Sequence, residues 1–221
     1  MLKKYRKTLV ITTVVMLLPV LVGLILWNKL PERVPTHFGP SGEPDDWSSK
    51  AFAVFGLPAI IMALHWVCVL GSLKMDPKAH NIDGRMMGLV LWICPVISVV
   101  CGIGLTYGTA LGLDMNVQIF MPLLVGLVMV IIGNWLPKCK QSYTMGIKLP
   151  WTLANEKNWN KTHRFGGKLW VAGGVVTLAT AFLGNFWILM VILAVMVILP
   201  TVYSYLYYRK HEKGEPHEDS E

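Results

Sequence analysis

Six long apolar stretches, at about 8–29, 51–73, 86–110, 117–136, 168–184 and 186–207, alternate along the chain with polar connections. None holds Asp, Glu or Arg in its interior. A helix crosses a bilayer with about 20 mostly apolar residues, so the pattern predicts six transmembrane helices. Lys3, Lys4, Arg6 and Lys7 precede the first stretch, as they would in a signal peptide. That stretch is too long for a signal core and ends at Leu26-Trp27-Asn28-Lys29 without a small-residue cleavage site, so it is expected to remain as a helix. The expected fold is an all-α polytopic membrane bundle of six transmembrane helices, a single domain over residues 1–210. Two longer polar segments interrupt it, 30–50 and 137–167, and the charged tail 211–221 is expected to be disordered.

Composition narrows the class. The 221 residues are 54% hydrophobic and 15% charged, against about 25% charged in an ordinary soluble domain. A soluble enzyme, a disordered chain and a disulfide-stapled secreted domain are thereby excluded. The formal charge of +7 would suit a nucleic-acid binder, but its distribution points elsewhere. Of 20 Lys and Arg residues, 17 fall on the side of the termini and of 137–167, leaving Lys29, Arg33 and Lys50 opposite. The positive-inside rule then puts both termini and 137–167 in the cytoplasm and 30–50 outside the cell membrane. Net charge is +9 inside and −2 outside, so orientation accounts for the basic balance and no direct nucleic-acid contact is expected.

The spans offer little chemistry. Cysteine and tyrosine aside, His65 is the one titratable candidate well inside a span, and it has no acidic neighbour at i±3 or i±4, so ion-coupled transport has no positive sign. No His-Glu-x-x-His helix, Gly-x-Ser-x-Gly elbow or Walker loop occurs. Cys68, Cys94 and Cys101 fall in spans and Cys139 at the cytoplasmic edge, without Cys-x-x-Cys spacing. They are expected to be buried and structural rather than redox or zinc ligands. Gly104, Gly108 and Gly112, four apart, are expected to let backbones approach closely within the bundle. Asn-x-Leu-Pro closes the first span at 28–31 and the fourth at 134–137; an inverted three-plus-three repeat would produce such an echo, and so would chance.

Chemistry therefore belongs to the two polar segments. In 30–50, Pro31, Pro35, Pro40 and Pro44 with Gly39 and Gly42 forbid a regular helix and favour a shaped surface. Glu32, Glu43, Asp45 and Asp46 make it acidic, and Trp47 suits an interfacial anchor. His37 near the carboxylates reads either as a hydrogen-bonded loop residue or as a metal ligand, though no ligand spacing is recognisable. An acidic, partly aromatic surface suits a cationic, amphipathic peptide. In 137–167, Tyr143 to Gly146 read as a turn and Leu149-Pro150-Trp151 as an extended entry. Thr152 is expected to cap a helix over about 153–165, with Glu156 in its first turns. Lys157, Lys161, Arg164 and Lys168 then form one stripe, suited to anionic lipid or, second, to an acidic or nucleic-acid-bound partner. Glu156, Trp159 and His163 share another face, which reads as a clasp onto the bundle or as a polar acid–base site.

The two segments also carry a resemblance. Leu30-Pro31, Val34-Pro35-Thr36-His37-Phe38, Ser41-Gly42, Asp45 and Trp47 resemble the extracytoplasmic motif of the SdpI immunity family. Gly133-Asn134, Leu136-Pro137-Lys138, Tyr143, Gly146-Ile147-Lys148, Pro150-Trp151-Thr152-Leu153, Asn155-Glu156, Trp159 and Lys161-Thr162-His163-Arg164 resemble its second motif. Lys148 before Leu149 departs from the family's Arg-Thr, keeping charge but losing a forked donor. The resemblance implies a non-enzymatic, cofactor-free membrane protein giving immunity to a secreted toxic peptide. It also implies signal transduction, with a winged-helix (ArsR-type) autorepressor held at the membrane. Residues expected at the peptide are Pro35, His37, Phe38, Gly42, Asp45 and Trp47. Those expected at the partner are Tyr143, Pro150, Trp151, Thr152, Asn155, Glu156, Trp159, Lys161, His163 and Arg164. Two other readings compete: a transporter or lipid-handling bundle, and a membrane-embedded enzyme using His37 with Asp45 or Glu156 with His163.

Overall fold

The computed structural model describes residues 2–82 and 84–211; the charged tail, from 212 onward, lies outside the described residues. Helix α1 covers Leu2–Ile25. Strands β1 (Arg33–Phe38) and β2 (Pro44–Ser49) follow as an antiparallel hairpin. Helices α2 (Phe52–Met75), α3 (Gly84–Ala110), α4 (Val117–Trp135), α5 (Pro150–Ala154), α6 (Glu156–Thr180) and α7 (Phe186–His211) complete the chain. All but α5 are long and apolar enough to cross a membrane, giving six spans. The chain is a multi-pass membrane protein.

Four boundaries differ from the sequence reading. The fifth span and the expected interfacial helix are one element, α6, running through Gly166-Gly167 without a break. Those glycines mark a close approach: a Cβ at Gly167 would stand 2.5 Å from the Pro137 ring. The helix therefore continues where composition suggested an end. Thr152 does not cap this helix. Asn155 does, its backbone extended (φ −129°, ψ 119°) and its side-chain oxygen accepting from Lys157 N and Asn158 N at 2.8 and 3.1 Å. The expected extended entry at Pro150-Trp151 is the first turn of α5, and His211, read as tail, closes α7.

Helices α1, α2 and α3 pack as one half of the bundle and α4, α6 and α7 as the other. Between α3 and α4 lies an apolar crevice of about 140 Å³, lined by Trp92, Val96, Val128 and Ile131 among others. The halves are tied at both ends. At the hairpin end, the Gln118 side chain of α4 donates to the Pro40 carbonyl in the hairpin turn (3.2 Å). At the end holding both described termini, the 137–155 segment folds across α2 and α3. Its Cys139 and Met145 join Leu9, Val69, Leu73, Met87, Leu91 and Trp159 in one buried cluster. Burial of these side chains removes them from lipid and water alike, so shape and hydrogen bonds hold the cluster in place.

Two expectations about small residues fail. A methyl group on Gly104 would meet nothing within 4 Å, one on Gly108 would meet only its own turn at Leu113 and Met115, and Gly112 sits at φ +79° in that turn. The close helix contact is elsewhere, between Gly126 and Gly133 of α4 and Gly174 and Gly167 of α6. Cys68 is exposed on the outer face of α2, and Cys94 and Cys101 are half-buried; only Cys139 is buried.

Candidate functional site

At the end that carries the chain termini, the polar segment is a folded cap built around one carboxylate. Asp76, at the end of α2, is buried. Its Oδ2 accepts from Ser142 Oγ (2.5 Å), Thr144 Oγ1 (2.7 Å) and the backbone N–H groups of Tyr143 and Thr144 (both 3.0 Å). Its Oδ1 accepts from Lys78 N at 2.8 Å. Burial pushes the carboxyl's pKa up, but the Ser142, Thr144 and Lys78 donors outweigh it and hold the value below the ordinary 3.8. The neighbouring Gln141 extends the joint. It donates to the Thr152 and Leu153 carbonyls (2.9 and 2.8 Å), its carbonyl accepts from Asn81 Nδ2 (2.8 Å), and Lys78 Nζ donates to its side chain. Asp76 and its loop thus join the first half of the bundle to the second.

A second layer seats the cap on α6. Trp159 is fully buried, donates through Nε1 to the Cys139 carbonyl (2.8 Å) and stacks on His163 with ring centroids 4.0 Å apart. The Ile147 N–H donates to His163 Nε2 at 2.9 Å. Nε2 is therefore the bare nitrogen, so the proton lies on Nδ1 and goes to the Trp159 carbonyl at 2.8 Å. Both ring nitrogens are engaged and the imidazole is neutral. Thr152 Oγ accepts from Leu149 N (2.9 Å) and lies 2.9 Å from the Ile147 carbonyl. Trp151 Nε1 donates to Ser204 Oγ at 2.9 Å and packs on Tyr205 and Tyr208 of α7. Asn158, with Thr162 and Ser204 as partners, closes the contact between α6 and α7.

Gly146 lets this layer close. Its φ is +100°, and a Cβ there would collide with His163 Nε2 and stand 2.8 Å from the Trp159 ring. Gly146→Ala is expected to lower stability by at least about 2 kcal/mol, from positive-φ strain plus the ring clash. Thermal unfolding in detergent measures it, and an unchanged midpoint would show that the loop is not held against these rings.

The partner-side residues predicted from sequence separate by depth. Thr152, Trp159 and His163 are buried; Trp151 and Asn155 are half-buried; Tyr143, Pro150, Glu156, Lys161 and Arg164 are exposed. Glu156 does not join His163: it opens α6 and is exposed, whereas His163 is buried with its ring nitrogens engaged by Ile147 N and the Trp159 carbonyl. The acid–base pair is not assembled. Lys157, Lys161, Arg164 and Lys168 are all exposed, with Lys161 over the Tyr207 ring at 5.2 Å. Sequence reasoning missed Asp76, Gln141, Ser142, Asn158 and Ser204. The available signal was a lone acid abutting the apolar second span, with a Gln-Ser-Tyr-Thr run of donors at 141–144.

At the opposite end the hairpin has its own order. Gly42, at φ +80°, makes the turn and passes so close to Gln118 that a Cβ would lie 2.7 Å from that side chain. His37 Nδ1 and Asp45 Oδ1 pair at 2.6 Å, largely exposed. The Arg33 guanidinium donates to the Trp47 carbonyl (3.0 Å), and Lys50 pairs with Glu32 (2.8 Å) over the Trp27 ring. Pro35 is buried in β1, whereas Asp45 and Trp47 face outward. Among the described residues no three His, Cys, Asp or Glu side chains gather as a metal site. Beneath the hairpin is a cleft of about 340 Å³. Phe38 and Gly42 line it from above, Leu105 and Thr106 of α3, Met121 of α4 and Phe186 of α7 from below. Leu105 and Thr106 belong to a π-helical stretch, Val100–Tyr107, that follows Pro95; such wide turns recur where a helix wall is shaped for function.

A six-span helical membrane protein with a hydrogen-bonded cap at one end and a hairpin over an apolar cleft at the other is the class these features define. Residues 138–204, which hold most of the cap with α6 and much of α7, match the SdpI/YfhL protein family. Residues 14–62, which hold the hairpin, match a domain of unknown function (DUF1648). The Immunity protein SdpI of Bacillus subtilis (strain 168) is 26% identical over 207 residues, covering 91% of this chain and 96% of that protein. An uncharacterized protein of Archaeoglobus fulgidus is 46% identical over 50 residues, 20% of this chain and 27% of its own length. No solved structure matches. The likeness to the SdpI/YfhL family thus rests on residues 138–204, and the likeness to an immunity protein extends over nearly the whole chain.

Proposed function

We propose that this chain is a membrane immunity protein, protecting its cell against a secreted toxic peptide that engages the hairpin and the cleft beneath it. In this reading the hairpin faces outward and both termini lie in the cytoplasm, which the charge asymmetry supports. The observation that carries the activity is the likeness to an immunity protein over nearly the whole of both chains. The site follows from chemistry: Glu43, Asp45, Asp46 and Trp47 offer charge and an aromatic face to a cationic peptide, and the cleft offers an apolar seat.

Expression in a toxin-sensitive cell tests it. The parent chain is expected to restore growth, and Leu105→Trp, which fills the cleft, to weaken protection about tenfold at equal membrane abundance. Failure of the parent chain to protect against any peptide of this class would sink the reading.

The finer step is a relay. The cleft is lined from both halves of the bundle, and Asp76 ties those halves at the other end. Peptide bound between the halves favours an arrangement that changes how the cap meets the cytoplasm, provided it binds that arrangement more tightly. A winged-helix autorepressor then docks on the exposed Tyr143, Glu156, Lys161 and Arg164. Glu156→Ala and Arg164→Ala are expected to abolish induction of the immunity genes while protection persists; loss of both together, or of neither, would end this part.

A further inference from the structure

Between α1 and α2, at the end holding the chain termini, a groove of about 450 Å³ opens on the outer face of the bundle. Leu9, Val10, Thr13, Val14 and Trp66 wall it, and Lys3 and Arg6 line it toward the start of α1. Val10 and Val14 are more than half exposed, so the walls face the membrane interior rather than another helix. From Lys3 to Val14 the helix rises about 16 Å, close to the ~15 Å of one hydrocarbon leaflet. The two cations therefore sit at headgroup depth when the walls lie beside an acyl chain.

We propose that this groove is a binding site for one anionic phospholipid. An acyl chain lies along Val10 and Val14 against Trp66, and the phosphate rests between Lys3 and Arg6, three residues apart on one helix face. Charge and length together select this occupant. A zwitterionic lipid fills the same walls but brings an ammonium against two cations. A peptide helix would leave both cations unpaired. The site is separate from the basic stripe of Lys157, Lys161, Arg164 and Lys168 on α6, of which Lys168 borders another groove, of about 360 Å³, against α4.

Native mass spectrometry of the full chain tests it, with phosphatidylglycerol and phosphatidylcholine of identical acyl chains. The parent is expected to retain the first phosphatidylglycerol about tenfold better than phosphatidylcholine. The K3Q/R6Q double variant is expected to lose that preference, and Val10→Trp to lose retention of either lipid. All three positions are exposed, and unchanged thermal midpoints will show that the variants fold. The quadruple variant K157Q/K161Q/R164Q/K168Q is expected to keep the preference. Preference unchanged in the groove variants overturns the proposal. So does a graded loss shared by both sets of cations, the signature of a diffuse basic surface.

Discussion

Asp76→Ala is expected to free residues 141–145 from the bundle and to abolish the proposed protection of the cell. The carboxylate accepts five hydrogen bonds, four of them from the loop at 142–144. Bonds to a charged acceptor contribute about 1.5–3 kcal/mol each, and those sharing one acceptor do not add in full. A net loss of at least about 3 kcal/mol follows, because the stranded donors stay buried. Asp76→Asn is the sharper probe. It keeps the shape but presents an NH2 group to donors, and is expected to lose nearly as much. Hydrogen exchange at the Tyr143 and Thr144 amides reads the effect directly; protected amides in Asp76→Asn would refute it.

Acid should reproduce the mutation. The folded carboxyl titrates below its ordinary value, so its contribution is complete above the unfolded value of about 3.9 and disappears as pH falls through the lower folded value. The cap is expected to stay closed at neutral pH and to loosen below about pH 4. Asp76→Asn should show no such transition.

What the sequence carried, and what it did not, follows from the range of each interaction. The six spans were legible because hydrocarbon tolerates only long apolar helices, a constraint written locally in every segment. Trp159 and His163 stood out because helical spacing puts them on one face, and the clasp they form is that geometry realised. Asp76 did not stand out. Its partners lie 66 to 68 residues away, and an acid in Asp-Pro-Lys reads as an ordinary turn. The hairpin was visible only as a ban on helix, since its pairing of Arg33 with Ser49 and Val34 with Ser48 depends on the turn at Gly42. Glu156 misled because periodicity places a residue on a face but not at a depth. Glu156 opens the helix and is exposed, whereas Trp159, one turn further along the same face, is fully buried.

The glycine contact gives the other large expected effect. Gly133→Ala and Gly174→Ala should each destabilise the bundle by about 2–3 kcal/mol, and Gly133→Val should prevent accumulation in the membrane. A Cβ on Gly133 would meet Val171 N at 2.7 Å and the Gly167 carbonyl at 2.9 Å; one on Gly174 would meet the Gly126 carbonyl at 2.8 Å. These are backbone atoms, which cannot turn aside as a side chain does, so α4 and α6 must separate. Among lipid tails that are as apolar as the helices, close packing is what holds such a pair together. The spacing explains why the eye goes to the wrong glycines. Gly126 and Gly133 are seven apart, as are Gly167 and Gly174, and in antiparallel helices the pairs meet at two levels. Gly104 and Gly108 have the more familiar spacing of four. Gly104, however, sits in the π-helical stretch of α3, where wider turns carry a spacing of four off a single face. Gly104→Ala, with nothing within 4 Å, is expected to be neutral or to stabilise by up to about 1 kcal/mol. Thermal unfolding of these variants in one detergent decides it: equal midpoints for Gly133→Ala and Gly104→Ala would show that the α4–α6 approach is not what holds the second half of the bundle together.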